Sequence, residues 1–70
     1  MIERGIYKHF KGGLYMVIGT AVHSETEELM VVYLPLYGSY QMTVRPLKMF
    51  TEEVLHDGVM IPRFKIEKSL

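Results

Sequence analysis

The stretch HSETEELMVVYLPLYGSY, His23 to Tyr40, decides the architecture of this chain. Its middle, Leu29 to Leu34, is apolar at every position, which fits a strand covered on both faces or a buried helical segment. Val31, Val32 and Tyr33 suit a pleated surface, and turn-forming residues bound the run on both sides, so it reads as a strand at the centre of the fold. Ser24 to Glu27 then forms a hairpin connection, and Tyr37-Gly38-Ser39-Tyr40 reverses the chain a second time.

Working toward the N-terminus, Leu14 to Ile18 is apolar throughout, and with Val22 it makes a long strand candidate interrupted by Gly19, a residue that marks a bulge or bend inside a strand. Ile6 to Phe10 reads as a short strand joined to it by Lys11-Gly12-Gly13. On the other side, Gln41, Thr43 and Arg45 alternate with Met42 and Val44, as in a half-buried strand whose polar side carries Arg45. Pro46 suits the start of a single helical turn, with Leu47 and Phe50 on one side of it. The pair Asp57-Gly58 joins a strand from Glu53 to His56 with another from Val59 to Ile61, and the tail from Pro62 continues as an edge. The chain is therefore expected to be all-β: one domain over residues 1–70, a small five- or six-stranded antiparallel barrel with one short helical turn and Gly19 at a corner.

Composition narrows the function classes. A chain of 70 residues hides only about 60% of the surface of its unfolded form, so the core is small. Cysteine is absent, which excludes disulfides and thiolate metal sites and suits a reducing cytoplasm. Eight Lys plus Arg balance eight Asp plus Glu, so no global field gathers polyanions and general nucleic-acid binding is not expected. No run approaches the roughly 20 apolar residues that span a membrane, and no membrane association is expected.

The candidate chemistry is sparse. His23, Ser24 and Glu25 stand side by side, but neighbours at a strand end point to opposite faces, so His23 is poorly placed to activate Ser24. Across the hairpin His23 faces Glu28, and Ser24 and Thr26 are expected to bond to turn backbone. His9, His23 and His56 lie in three different segments without a paired-histidine motif, so no metal site is expected, and no glycine-rich phosphate motif or other cofactor signature is present. Tyr37, Tyr40 and Arg45 combine aromatic faces with a guanidinium fork that grips carboxylate or phosphate. They equally suit a half-buried β surface on which Arg45 pairs with a glutamate or holds backbone carbonyls around the Pro46 turn, and Arg63, between Pro62 and Phe64, has the same two readings.

In order along the chain, Gly5-Ile6-Tyr7-Lys8-His9-Phe10-Lys11-Gly12, His23-Ser24-Glu25-Thr26, Val31-Val32-Tyr33, Leu36-Tyr37-Gly38, Val44-Arg45-Pro46-Leu47, Met49-Phe50 and Pro62-Arg63-Phe64 resemble a bacterial family catalogued as domain of unknown function 1653. The resemblance spans roughly Gly5 to Ile66. It implies a compact, mostly β domain similar to a Src-homology-3-like barrel, and it implies no activity. It also points to His23, Ser24, Glu25, Tyr37, Arg45 and Arg63 as positions within the shared motifs. Where such sequences carry an aromatic residue just before Val-Arg-Pro, this chain has Thr43, which weakens a stacking site there.

The reading that follows is a non-enzymatic binding module, recognising a small anionic ligand, a nucleotide or a peptide through Arg45, Tyr37 and Tyr40, with His23, Glu25 and Arg63 as further candidates. The alternative is a structural or protein-interaction domain that uses an exposed strand edge, which is also compatible with a homo-oligomer. A hydrolase built on His23 ranks third.

Overall fold

A computed structural model describes residues 2–70. Seven strands and one helical turn follow in the order β1 (Gly5–His9), β2 (Leu14–Val22), β3 (Leu29–Pro35), β4 (Thr43–Pro46), α1 (Leu47–Phe50), β5 (Glu53–His56), β6 (Val59–Pro62) and β7 (Phe64–Ser69). Five strands form one antiparallel sheet in the order β4-β3-β2-β1-β7, and β5 and β6 form a separate two-stranded sheet. The fold is all-β, as expected. The strand count differs: among the described residues seven strands divide between two sheets, where a barrel of five or six was expected. The expected C-terminal edge is a strand of its own, β7, which crosses back to pair with β1 from Gly5↔Ser69 to His9↔Phe64. At the opposite rim, β4 has only four residues and ends on Pro46, which lacks the N–H that a further ladder would need.

Local chemistry explains the connections. In the hairpin between β2 and β3, His23 N–H donates to the Glu28 carbonyl (2.8 Å) and Glu27 N–H to the His23 carbonyl (2.8 Å). Asp57 and Gly58 both take the left-handed conformation that the two-residue turn between β5 and β6 requires, at φ 51° and 79°. Pro46 caps α1, and the Thr51 hydroxyl closes it by donating to the Leu47 carbonyl at 2.9 Å.

A bulge at Val17–Gly19 is the central device of the large sheet. Val17 pairs with Tyr33, Gly19 with Val32 and Thr20 with Val31, so Ile18 is the extra residue. The bulge resets the alternation of β2, so that Val17 and Thr20, three apart, both oppose core-side residues of β3. One face of the sheet contributes Tyr7, Val17, Val31, Tyr33 and Phe64 to the buried core, and α1 lays Phe50 over them. Phe50 and Phe64 stack, with centroids 4.1 Å apart and planes 3° from parallel.

The run Leu29 to Leu34 is not covered on both faces. Val31 and Tyr33 are buried, whereas Met30, Val32 and Leu34 are half-buried on the opposite face, and β2, not β3, is the middle strand. The reason is size: a chain this short supplies one covering layer, and the second face of β3 stays partly open.

Candidate functional site

Arg45 lies directly across from Val31 in the β3–β4 ladder, which puts its side chain on the core face of the sheet. It does point away from Val44, as the alternation implies, but the interior is on the other side from the one expected. Val44 and Met42 are exposed, and Arg45 is half-buried. The arginine is accommodated because its Nε–H donates to the Tyr33 hydroxyl at 3.2 Å and its guanidinium sits 5.8 Å from the centroid of the Phe64 ring. Tyr33, buried within an apolar run, thereby finds the polar partner its hydroxyl needs. No carboxylate pairs with Arg45 among the described residues, where the ion pairs are Arg63–Glu52 and His56–Asp57.

Two tyrosines extend this network toward solvent. Tyr15, on the same face as Tyr33, packs edge-on against it at 5.6 Å, and against Tyr37 at 5.7 Å. The Tyr15 and Tyr37 hydroxyls share a hydrogen bond of 2.6 Å. Burial first, and then that bond and the neighbouring phenols, push the Tyr15 hydroxyl up to about 12, so it remains a proton donor across the neutral range.

His9 closes the other side. Its ring meets Phe64 edge-on at 4.9 Å, and its Nδ1 accepts the Lys11 N–H at 3.1 Å. Burial, followed by the charges of Arg45, Arg63 and Lys11, holds its titration below the usual 6.5. Around Phe64 the fold thus gathers the Arg45 guanidinium, the His9 imidazole and a chain of phenols. An open cleft of about 620 Å³ adjoins them, lined by residues that include His9, Lys11, Leu14, Tyr15, Leu36 and Tyr37.

The candidates named from the sequence divide between this site and other places. Arg45 and Tyr37 come together through Tyr33 and Tyr15. Arg63 lies close enough to bias His9, but it serves mainly as a strut between the two sheets. Its Nη2 donates to Glu52 Oε1 at 2.7 Å, its N–H to the Glu52 carbonyl at 3.0 Å, and its carbonyl accepts the Phe10 N–H at 2.9 Å; Nε is buried without a partner. Tyr40 stays outside the aromatic cluster, exposed, closing its turn through an N–H bond to the Tyr37 carbonyl at 3.3 Å. His23 and Glu25 lie beyond the far end of β2 from Tyr15, on the order of 25 Å away along the strand. There His23 Nδ1 accepts the N–H groups of Glu25 and Thr26 at 3.2 and 3.3 Å, and the Thr26 hydroxyl accepts the Glu28 N–H at 3.2 Å. That nitrogen is engaged in holding the turn rather than activating Ser24.

Sequence reasoning did not single out Tyr15, Tyr33, His9 or Phe64 as site residues. A signal was present for the two tyrosines: each sits inside an apolar run, where a phenol must find a partner for its polar tip. His9 and Phe64 gave none, because their meeting depends on β7 returning to β1.

No curated protein matches the chain. The crystal structure of a protein belonging to DUF1653 from Bordetella bronchiseptica is similar to it, with 34% sequence identity and a TM-score of 0.89, covering 99% of this chain and 91% of that one. The family described as "Protein of unknown function (DUF1653)" matches residues 5–66, and by that match the chain belongs to the DUF1653 family.

Proposed function

We propose that this domain is a non-enzymatic module that binds a small anionic ligand at the surface formed by Arg45, Tyr37, Tyr15 and His9. The observation that carries the reading is Arg45: a half-buried guanidinium held through Nε by Tyr33, with no carboxylate partner among the described residues. A structural arginine on a core face is ordinarily neutralised by an acid, because an uncompensated charge near a low-dielectric interior is costly. Here the fork is oriented while its charge is left for a ligand, and the Tyr33 bond fixes that orientation in advance. Nucleotides, carboxylates and the carboxylates of peptides fall within this chemistry. We further place the module in the cytoplasm, a compartment that its lack of cysteine suits, and liken its large sheet, bent at the β2 bulge, to part of a Src-homology-3-like barrel.

The test is a titration of the protein with phosphate, carboxylates and nucleotides, followed by amide chemical shifts. Arg45→Ala is expected to abolish the shifts around Tyr15 and His9 while the protein still melts cooperatively. Arg45→Lys is expected to retain only part of the affinity, because a point charge lacks the planar fork. Binding that survives Arg45→Ala unchanged would overturn the reading.

The alternative, partner binding through a strand edge, has weaker support. The free edge at β4 is four residues long and ends on proline, and β7 carries Lys65, Glu67 and Lys68, charges that discourage edge pairing.

A further inference from the structure

The cleft beside the site has an unusual wall. Tyr37 is 52% exposed, yet it is not free to move as exposed side chains are. Its hydroxyl is tied to Tyr15 at 2.6 Å, and its ring sits over Gly13 so closely that a methyl group there would come within 3.1 Å of both the Tyr37 and the Tyr15 ring carbons. An exposed aromatic ring already fixed in place is a stacking platform whose ordering has been completed in the free protein. The Tyr15–Tyr37 bond uses one of two hydroxyl protons, so the second is available to a ligand oxygen. Leu14 and Leu36 add apolar lining, Lys11 adds a positive charge, and His9 lies within the electrostatic reach of Arg45. Ring-sized space and positive charge therefore occur side by side, in a cleft whose volume of about 620 Å³ falls within the range of small-molecule sites.

We infer that the cleft is a ring subsite, so that the ligand is an aromatic or heteroaromatic ring bearing an oxyanion, with the ring against Tyr37 and the oxyanion turned toward Arg45. This deepens the anion-binding reading and rests on it. The oxyanion can be a carboxylate or a phosphate and the ring can be a phenyl group or a base, so the experiment compares matched probes.

Isothermal titration would use phenyl phosphate against inorganic phosphate, benzoate against acetate, and adenosine monophosphate against adenosine. Phenyl phosphate and benzoate are each expected to bind about five- to tenfold more tightly than inorganic phosphate and acetate, the increment of one aromatic stack. Adenosine, without the anion, should bind most weakly. The phenyl and adenine arms rank the two sources of ring. Tyr37→Leu should erase the ring increment, with a cooperative thermal melt of the variant reporting an intact fold. Gly13→Ala, whose Cβ would press on both tyrosine rings, should reduce the ring increment through a different residue. Equal binding of ringed and ringless anions, or a ring increment that survives both variants, overturns this inference while leaving the anion site standing. Failure of every anion to bind overturns both.

Discussion

His9 shows how a single side chain reports on its surroundings. Burial and the nearby charges of Arg45, Arg63 and Lys11 disfavour its protonated form, and protonation would also cost the bond that Nδ1 accepts from Lys11. Its titration in the folded protein therefore lies below the 6.5 it has when unfolded. As pH falls through 6.5 the unfolded chain takes up a proton that the folded one resists, so stability declines with acid until the folded form is protonated as well. Thermal melts across this window should show that decline, and His9→Gln should flatten it. Tyr33 gives a second test at this scale. Tyr33→Phe removes the acceptor for Arg45 Nε, a bond to a charged group worth about 1.5–3 kcal/mol, and chemical denaturation should reveal a loss of that order. The same variant should weaken anion binding, since the guanidinium loses its anchor.

At the scale of the element, the two faces of β3 differ sharply. Val31 is fully buried, so Val31→Asp places an unpartnered charge in the core and should leave no cooperative melt. Val32, although its neighbour in an equally apolar run, is half-buried on the other face, and Val32→Asp should keep a cooperative transition at a lower temperature. A melt retained by Val31→Asp and lost by Val32→Asp would reverse the assignment of faces. The β2–β3 hairpin provides the matching control. His23→Ala removes the acceptor of two turn N–H groups, which should cost about 1 kcal/mol by denaturant titration and leave ligand affinity unchanged. At the start of β1, an added Cβ on Gly5 would collide with the Lys68 backbone carbonyl, so β1 and β7 approach each other as they do only because that position has no side chain.

For the molecule as a whole, the candidate site exists only where distant segments converge: His9 from β1, Tyr15 from β2, Tyr33 from β3, Arg45 from β4 and Phe64 from β7. Much of this was legible locally. Turn chemistry located the reversals at Lys11 to Gly13, Ser24 to Glu27 and Asp57-Gly58, and apolar runs between them marked the strands, because the backbone preferences of glycine, asparagine-like residues and β-branched residues act over a few neighbouring positions. Gly19 likewise announced a bulge. The sequence by itself thus determined an all-β chain, its hairpins and its short helical turn. Only the tertiary structure decided that the strands divide into two sheets, that β7 returns to β1, and that Arg45 faces inward while Val44 faces out. The physical reason is that alternation defines two faces but not which one is covered. That choice belongs to Phe50 and Phe64, whose stacked rings lie over one face of the sheet and make it the interior.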